Sequence, residues 1–221
     1  MRKVAVIGLG SFGGNLVKAL WEKKDIEIIA IDADESKVKA VKDMVAKPVV
    51  MDATVKENLA SVGIKDVDYA VVSPGPALEP SILVVHILKE IGVSQIIAKT
   101  MSEEHEKILR LVGATDIIFP ERDVAEKLAN QIDAPNLIDY VPLMSGFVIQ
   151  EIAPPDAFLG KTLIEIGFRK KYRVTVLAIK SIIPDKIIAN PGGEEIVKES
   201  DILIVFGETE DIETLHKAAA S

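Results

Sequence analysis

The 221 residues include 48% hydrophobic and 27% charged side chains, enough apolar surface for a sizeable core. The formal net charge of −8 argues against a nucleic-acid or anionic-membrane surface, because phosphate contacts need clustered Lys and Arg. No Cys is present, which excludes disulfides, thiolate catalysis and Cys-based metal sites.

The opening "MRKVAVIGLG" moves straight into a strand. Its apolar run is too short for a signal sequence, and no later stretch approaches about 18 uninterrupted apolar residues. The expectation is a soluble, cytoplasmic chain that works at a membrane only if another protein holds it there. Apolar runs then alternate with helical spacing. Strands are expected at Lys3–Ile7, Glu27–Ile31, Pro48–Met51, Tyr69–Val72, Gln95–Lys99 and Asp116–Phe119. Helices are expected at Phe12–Glu22, Ser36–Met44, Val55–Val62, Glu79–Ile91, Glu103–Leu111 and Val124–Gln131. The pairs Thr54–Glu57, Thr100–Glu103 and Asp123–Glu126 have the spacing of a capping box and mark three expected helix starts. Six strand–helix repeats imply right-handed crossovers and an α/β, doubly wound, parallel, six-stranded (Rossmann-like) sheet.

The alternation stops at "DAPNLIDYVP", residues 133–142, where Pro, Asn and Asp punctuate the chain. Beyond it lie strand-like runs at Gly146–Ile152, Val174–Lys180, Lys186–Ala189 and Ile202–Phe206, with helices near Thr162–Gly167 and Asp211–Ala219. The expected organisation is a nucleotide-binding domain over residues 1–134 and a small α+β domain over 135–221.

In "GLGSFG" the glycines are Gly8, Gly10 and Gly13, between a strand and a helix. The first permits a tight turn, the second lets backbone approach a phosphate, and the third lets helix and strand pack closely. The helix N-terminus offers unpaired N–H groups and partial positive charge to an anion. Asp32 closes the second strand, where a carboxylate accepts hydrogen bonds from ribose hydroxyls and favours an unphosphorylated 2′ position. Asp34 fits equally as a helix cap. The three histidines are poor acid–base candidates: His86 lies in an apolar helix and is expected to be packed, His216 in the last helix is expected to be exposed, and His105 opens the helix after strand five, either near ligand phosphates or solvated. No Ser–His–Asp order, HExxH or Walker-type motif is present.

"VIGLGSFGGNLVKAL", "IDADESKV", "MDATVKENLASVGIKDVDYAVV" and "GATDIIFPERDVAEKLA" resemble the nucleotide-binding half of RCK proteins (regulators of potassium conductance), in particular the KtrA/TrkA type. "LGKTLIEIGFRKKYRVTVLAIK" and "NPGGEEIVKESDILIVFG" are similar to that family's C-terminal ligand domain. The resemblance implies a non-enzymatic regulatory subunit of a Trk/Ktr-type potassium channel or transporter. Gly8, Gly10, Ser11, Phe12 and Gly13 would then surround phosphates. Asp32 would hold the ribose with Ala33 and Asp34 beside it, and Asp52, Ala53 and Thr54 would meet the adenine. Pro74, Gly75 and Pro76 would border the adenine, and Lys99, Thr100 and His105 would line the phosphate side. Glu121 matches a glutamate that helps bind a divalent cation, Mg2+ or Ca2+, beside ATP at a dimer interface; a first-turn acid complementing the helix dipole is the plain alternative.

The family's glycine loop commonly carries an Arg where this chain has Ser11, so ATP, ADP and NAD(H) are all left open. The C-terminal domain of the family binds a cyclic dinucleotide in some bacteria, and Arg169, Val176 and Pro191 match positions of that site; a solvated charge run in "FRKKYR" is the alternative. The implied assembly is a homodimer building a tetrameric or octameric ring on the inner face of the cell membrane, beside an integral-membrane potassium-translocating subunit of TrkH/KtrB type. Val124, Ala125, Leu128, Ala129 and Ile132 form one apolar stripe, suited to a neighbouring subunit or to burial within the chain. The competing class is a small NAD-dependent oxidoreductase with unrecognised catalytic residues.

Overall fold

Alternate residues of a strand face opposite ways, and the first strand shows it: Val4 and Val6 join one apolar cluster, Ala5 and Ile7 another. In the computed structural model this strand is β1 (Arg2–Ile7). All residues are described except Pro74, Pro76, Pro135, Asn136, Met144, Ser145, Ala220 and Ser221, and the side chains of Pro142, Ala218 and Ala219. Two compact units result, Met1–Glu121 and Arg122–Ser221.

In the first unit β1 is followed by α1 (Ser11–Trp21), β2 (Ile26–Asp32), α2 (Glu35–Val41), β3 (Lys47–Val50), α3 (Lys56–Ser61), β4 (Tyr69–Val72), α4 (Leu78–Ile91), β5 (Ile96–Lys99), α5 (Glu103–Val112) and β6 (Asp116–Ile118). The strands are all parallel in the order β3-β2-β1-β4-β5-β6. The order reverses between β1 and β4, the switch point where such sheets open a crevice at their carboxyl ends. Both faces are apolar, as a parallel sheet requires. Val17, Val38 and Val41 from α1 and α2 cover one, while Leu59, Val85, Leu88 and Leu109 from α3, α4 and α5 cover the other.

The helix α6 (Pro120–Asp133) begins a turn earlier than its expected start at Val124. Pro120 stands at the first helical position, where its missing N–H costs nothing. The expected domain break follows α6 at 134/135, while the compact units divide near its first turn. Val124, Leu128 and Ile132 are 66%, 55% and 72% exposed, so the apolar stripe of α6 is not buried within the chain.

The second unit continues with β7 (Leu137–Pro142), β8 (Phe147–Ile152), α7 (Leu163–Ile166), α8 (Phe168–Lys171), β9 (Thr175–Ser181), β10 (Lys186–Ala189), β11 (Asp201–Glu208) and α9 (Thr209–Ala219). Its antiparallel sheet has the order β10-β9-β11-β8-β7. The expected linker therefore contains a strand, β7. Its Pro142 is tolerated because β7 is an edge strand with no central ladder to interrupt. Phe158, Phe168 and Tyr172 cluster in the core with Ile212 and Leu215 of α9. No helix of the described residues is long and apolar enough to cross a membrane.

None of the three expected capping boxes forms. Val55 precedes α3 without a side-chain cap, Ser102 caps α5 by accepting from the His105 N–H, and Asp123 lies inside α6. A complete box sits instead at α7, where Thr162 Oγ1 accepts from the Glu165 N–H and Glu165 Oε2 accepts from the Thr162 N–H at 2.8 Å. Thr162→Ala is expected to lower stability by about 1 kcal/mol, measured by chemical denaturation; an unchanged midpoint would show that the four-residue helix is held by packing alone.

Candidate functional site

The glycine turn builds one end of the crevice. Gly8 has φ of +91°, a conformation that glycine adopts without steric cost, and its N–H is bonded to the Ile31 carbonyl at 2.8 Å. A Cβ on Gly13 would overlap the Gly8 carbonyl oxygen, whereas one on Gly10 would meet nothing within 4 Å. The roles separate accordingly: Gly13 is required for helix–strand packing, and Gly10 leaves open space over the turn. Gly10 is the N-cap of α1, and the helix has no acid in its first turn. Its first N–H groups and positive dipole end suit a phosphate. Ser11 is exposed and Phe12 half-buried against the core.

Asp32 couples this turn to β2. Its Oδ2 accepts from the Leu9 N–H at 2.7 Å and its Oδ1 from the Asp34 N–H at 2.9 Å. Lys37 Nζ lies 3.7 Å from Oδ2, a neighbour that sequence reasoning missed although Lys37 stands only five residues on. Each carboxylate oxygen has a second acceptor site, so the structural role leaves room for a ribose hydroxyl. Asp34 is the cap of α2: its Oδ1 accepts from the Ser36 N–H at 2.9 Å and the Ser36 hydroxyl at 2.6 Å. These bonds hold its pKa below the usual carboxylate range. Ala33 between them is exposed.

After β3, Asp52 Oδ1 accepts from the Thr54 hydroxyl at 2.7 Å and the Thr54 N–H at 2.9 Å, which lowers the Asp52 pKa. The Asn58 side-chain amide donates to the Asp52 carbonyl at 2.9 Å. Asp52 is exposed, while Ala53 packs against the core. Gly75 is exposed with open space where a Cβ would sit; Pro74 and Pro76 lie outside the described residues.

On the far side, Lys99 ends β5 and its ammonium donates to Glu121 Oε1 at 2.5 Å. This bond, before all else, holds the Glu121 carboxyl below its ordinary pKa. The side chains of Thr100 and His105 are turned into the protein. Thr100 is fully buried and its hydroxyl donates to the Ser102 carbonyl. His105 is 2% exposed. The Ser81 hydroxyl donates to the Leu78 carbonyl at 2.6 Å, leaving its oxygen to accept from His105 Nε2–H at 2.8 Å. Nδ1 is then a buried lone pair with no partner, and desolvation pushes the His105 pKa below 6.5. The other histidines also depart from expectation. His86 is exposed, with Nε2 3.6 Å from Glu90, and His216 is half-buried against Gln150 at 2.8 Å.

No three His, Asp or Glu side chains converge to hold a metal among the described residues. Glu121 is engaged by Lys99, so the described residues of a single chain do not by themselves complete a Mg2+ or Ca2+ site. In the second unit Arg169 is exposed in α8, Val176 is buried in the core and Pro191 is half-buried. A cavity of about 240 Å³ lies between Ile179, Ile188 and Asp201, and none of those three candidate residues lines it.

The TrkA-N domain family matches residues 4–120 and the TrkA-C domain family residues 148–220. Ktr system potassium uptake protein C of Bacillus subtilis (strain 168) is 37% identical over 98% of this chain and 96% of its own length. Ktr system potassium uptake protein A of the same organism is 34% identical, over 96% and 94%. Among solved structures, the GsuK channel bound to NAD aligns with a TM-score of 0.52 at 24% identity, covering all of this chain and 39% of its own.

Gly13→Ala is expected to cost about 1–3 kcal/mol of stability in chemical denaturation, and Gly10→Ala to leave the midpoint nearly unchanged; the reverse ranking would contradict the division of roles. His105 should also make stability pH-dependent. Below 6.5 the unfolded chain takes up a proton that the folded chain refuses, so this contribution is complete above 6.5 and is lost as pH falls toward the folded-state pKa. Desolvation is the main cause that lowers the His216 pKa too. His105→Gln should therefore flatten the loss of stability between pH 6.5 and 5 in part, and an unaltered slope would refute the assignment.

Proposed function

The chain belongs to the TrkA-N/TrkA-C family, and on that premise we propose that it is a nucleotide-sensing regulatory subunit of a potassium-uptake system. It is not an enzyme: the relatives that match nearly its whole length are potassium uptake proteins, and the oxidoreductase alternative falls with that finding.

The observation that carries the ligand reading is the Asp32–Leu9 bond, which joins the ribose acid to the phosphate turn at 2.7 Å. A ligand with a phosphate on the α1 N-terminus and a ribose on Asp32 engages both ends of one hydrogen-bonded unit. ATP, ADP and NAD share that portion. Binding then biases one arrangement of the assembly over another, by about 1–3 kcal/mol per site in a typical allosteric protein, and several copies in a ring sharpen the response. The exposed stripe Val124, Leu128 and Ile132 of α6 suits contact with another subunit. The proposed partner is an integral-membrane potassium-translocating subunit whose flux is regulated, and the proposed location is the inner face of the cell membrane.

Titration calorimetry of the full chain with ATP, ADP and NADH should give binding by at least one, weakened tenfold or more in Asp32→Ala, with no net oxidation of NADH by any of a panel of carbonyl compounds. Absence of binding to all three, or steady turnover, would overturn the reading.

A further inference from the structure

Lys99 and Glu121 form an unequal pair. The Lys99 side chain is only 17% exposed and the Glu121 side chain 60%. An ammonium largely withdrawn from water requires a counter-anion, because an unpaired charge there is costly. A carboxylate mostly in water loses little when its partner leaves. Glu121 is thus the more easily replaced member.

The position of the pair gives this asymmetry a consequence. Lys99 is the last residue of β5, at the carboxyl edge of the sheet where ligands bind. In the strand order β1-β4-β5 it stands two strands from the glycine turn, about 10 Å at the usual strand spacing. A ligand phosphate chain that starts on α1 and extends along this edge approaches the Lys99 ammonium. Thr100 and His105, the neighbouring polar groups, are internally engaged or buried, which leaves Lys99 as the cation of that segment.

The geometry points to a latch: Glu121 holds the ammonium that a ligand phosphate needs, so the phosphate binds by displacing the carboxylate. The inference rests on the nucleotide reading above and adds an autoinhibitory contact to it. Phosphate and carboxylate compete for one donor, and the winner decides whether the first turn of α6, which carries Glu121, is tied to β5 or free. Glu121 therefore weakens binding when no divalent cation is present, the opposite of what a simple ligand-holding residue does.

The test is calorimetry on the full chain, in chelator, with ATP and with inorganic pyrophosphate as probes. Wild type, Glu121→Gln, Lys99→Met and the double variant are compared, each checked for a cooperative thermal transition; Glu121→Ser replaces Glu121→Gln if that transition is lost. Glu121→Gln is expected to bind about two- to fivefold more tightly, the worth of an exposed ion pair. Lys99→Met is expected to bind tenfold or more weakly, since a charge-assisted bond is lost, and adding Glu121→Gln to it should restore nothing. Equal or weaker binding by Glu121→Gln, or a gain that persists without Lys99, overturns the latch while wild-type ATP binding leaves the nucleotide reading intact. A pyrophosphate gain in Glu121→Gln without ATP binding by any form supports the latch and removes the nucleotide reading. Binding of neither probe by any form overturns both.

Discussion

The Asp32 carboxylate is the constraint on which the site depends. It accepts the Leu9 N–H from the glycine turn and the Asp34 N–H from the start of the next helix, so it fixes the turn that the proposed reading makes the phosphate cradle and stands where that reading puts the ribose. Two hydrogen bonds to one short side chain thus join the glycine turn to the start of α2. The turn also has no slack at Gly13, where a Cβ would overlap the Gly8 carbonyl oxygen.

The same sheet supplies both ends of the crevice. At β1 and β2 the groups are backbone N–H donors and an acid already bonded to them; at β5 the group is a lysine held by Glu121. In the proposed reading the first end is preorganised and the second exchanges partners. A regulatory protein benefits from that combination, because recognition at the fixed end can be converted into a rearrangement at the exchangeable one. The family relationship supplies the setting, potassium uptake, and the chemistry of the crevice supplies the reading of how it is controlled.

Most of the first unit was legible from periodicity. Val, Ile and Ala runs of four to seven residues, each followed by a helical stretch, leave few alternatives to a parallel sheet, and the observed strands match the expected ones within two residues at each end. Prolines misled. The helix expected from Val124 opens at Pro120, and Pro142 reads as linker yet lies in edge strand β7, since each proline stands where no backbone donor is needed. Side-chain direction was not legible: His105, in the first turn of a strongly amphipathic helix, turns inward to Ser81, and Thr100 spends its hydroxyl on Ser102. Sequence spacing does not say which face of a first turn packs. The Lys99–Glu121 bond joins residues 22 apart, a pairing that only the adjacency of β5 and β6 makes close.

The most direct test of the central claim, that the nucleotide is a signal and not a reagent, is potassium flux into vesicles carrying the membrane subunit and this protein. Flux is followed as ATP, ADP or NADH is added, with the added compound recovered and quantified. The account predicts a change in flux with the nucleotide recovered intact, and no change with Asp32→Ala. Flux indifferent to every nucleotide, or a response that requires the nucleotide to be converted, would contradict it.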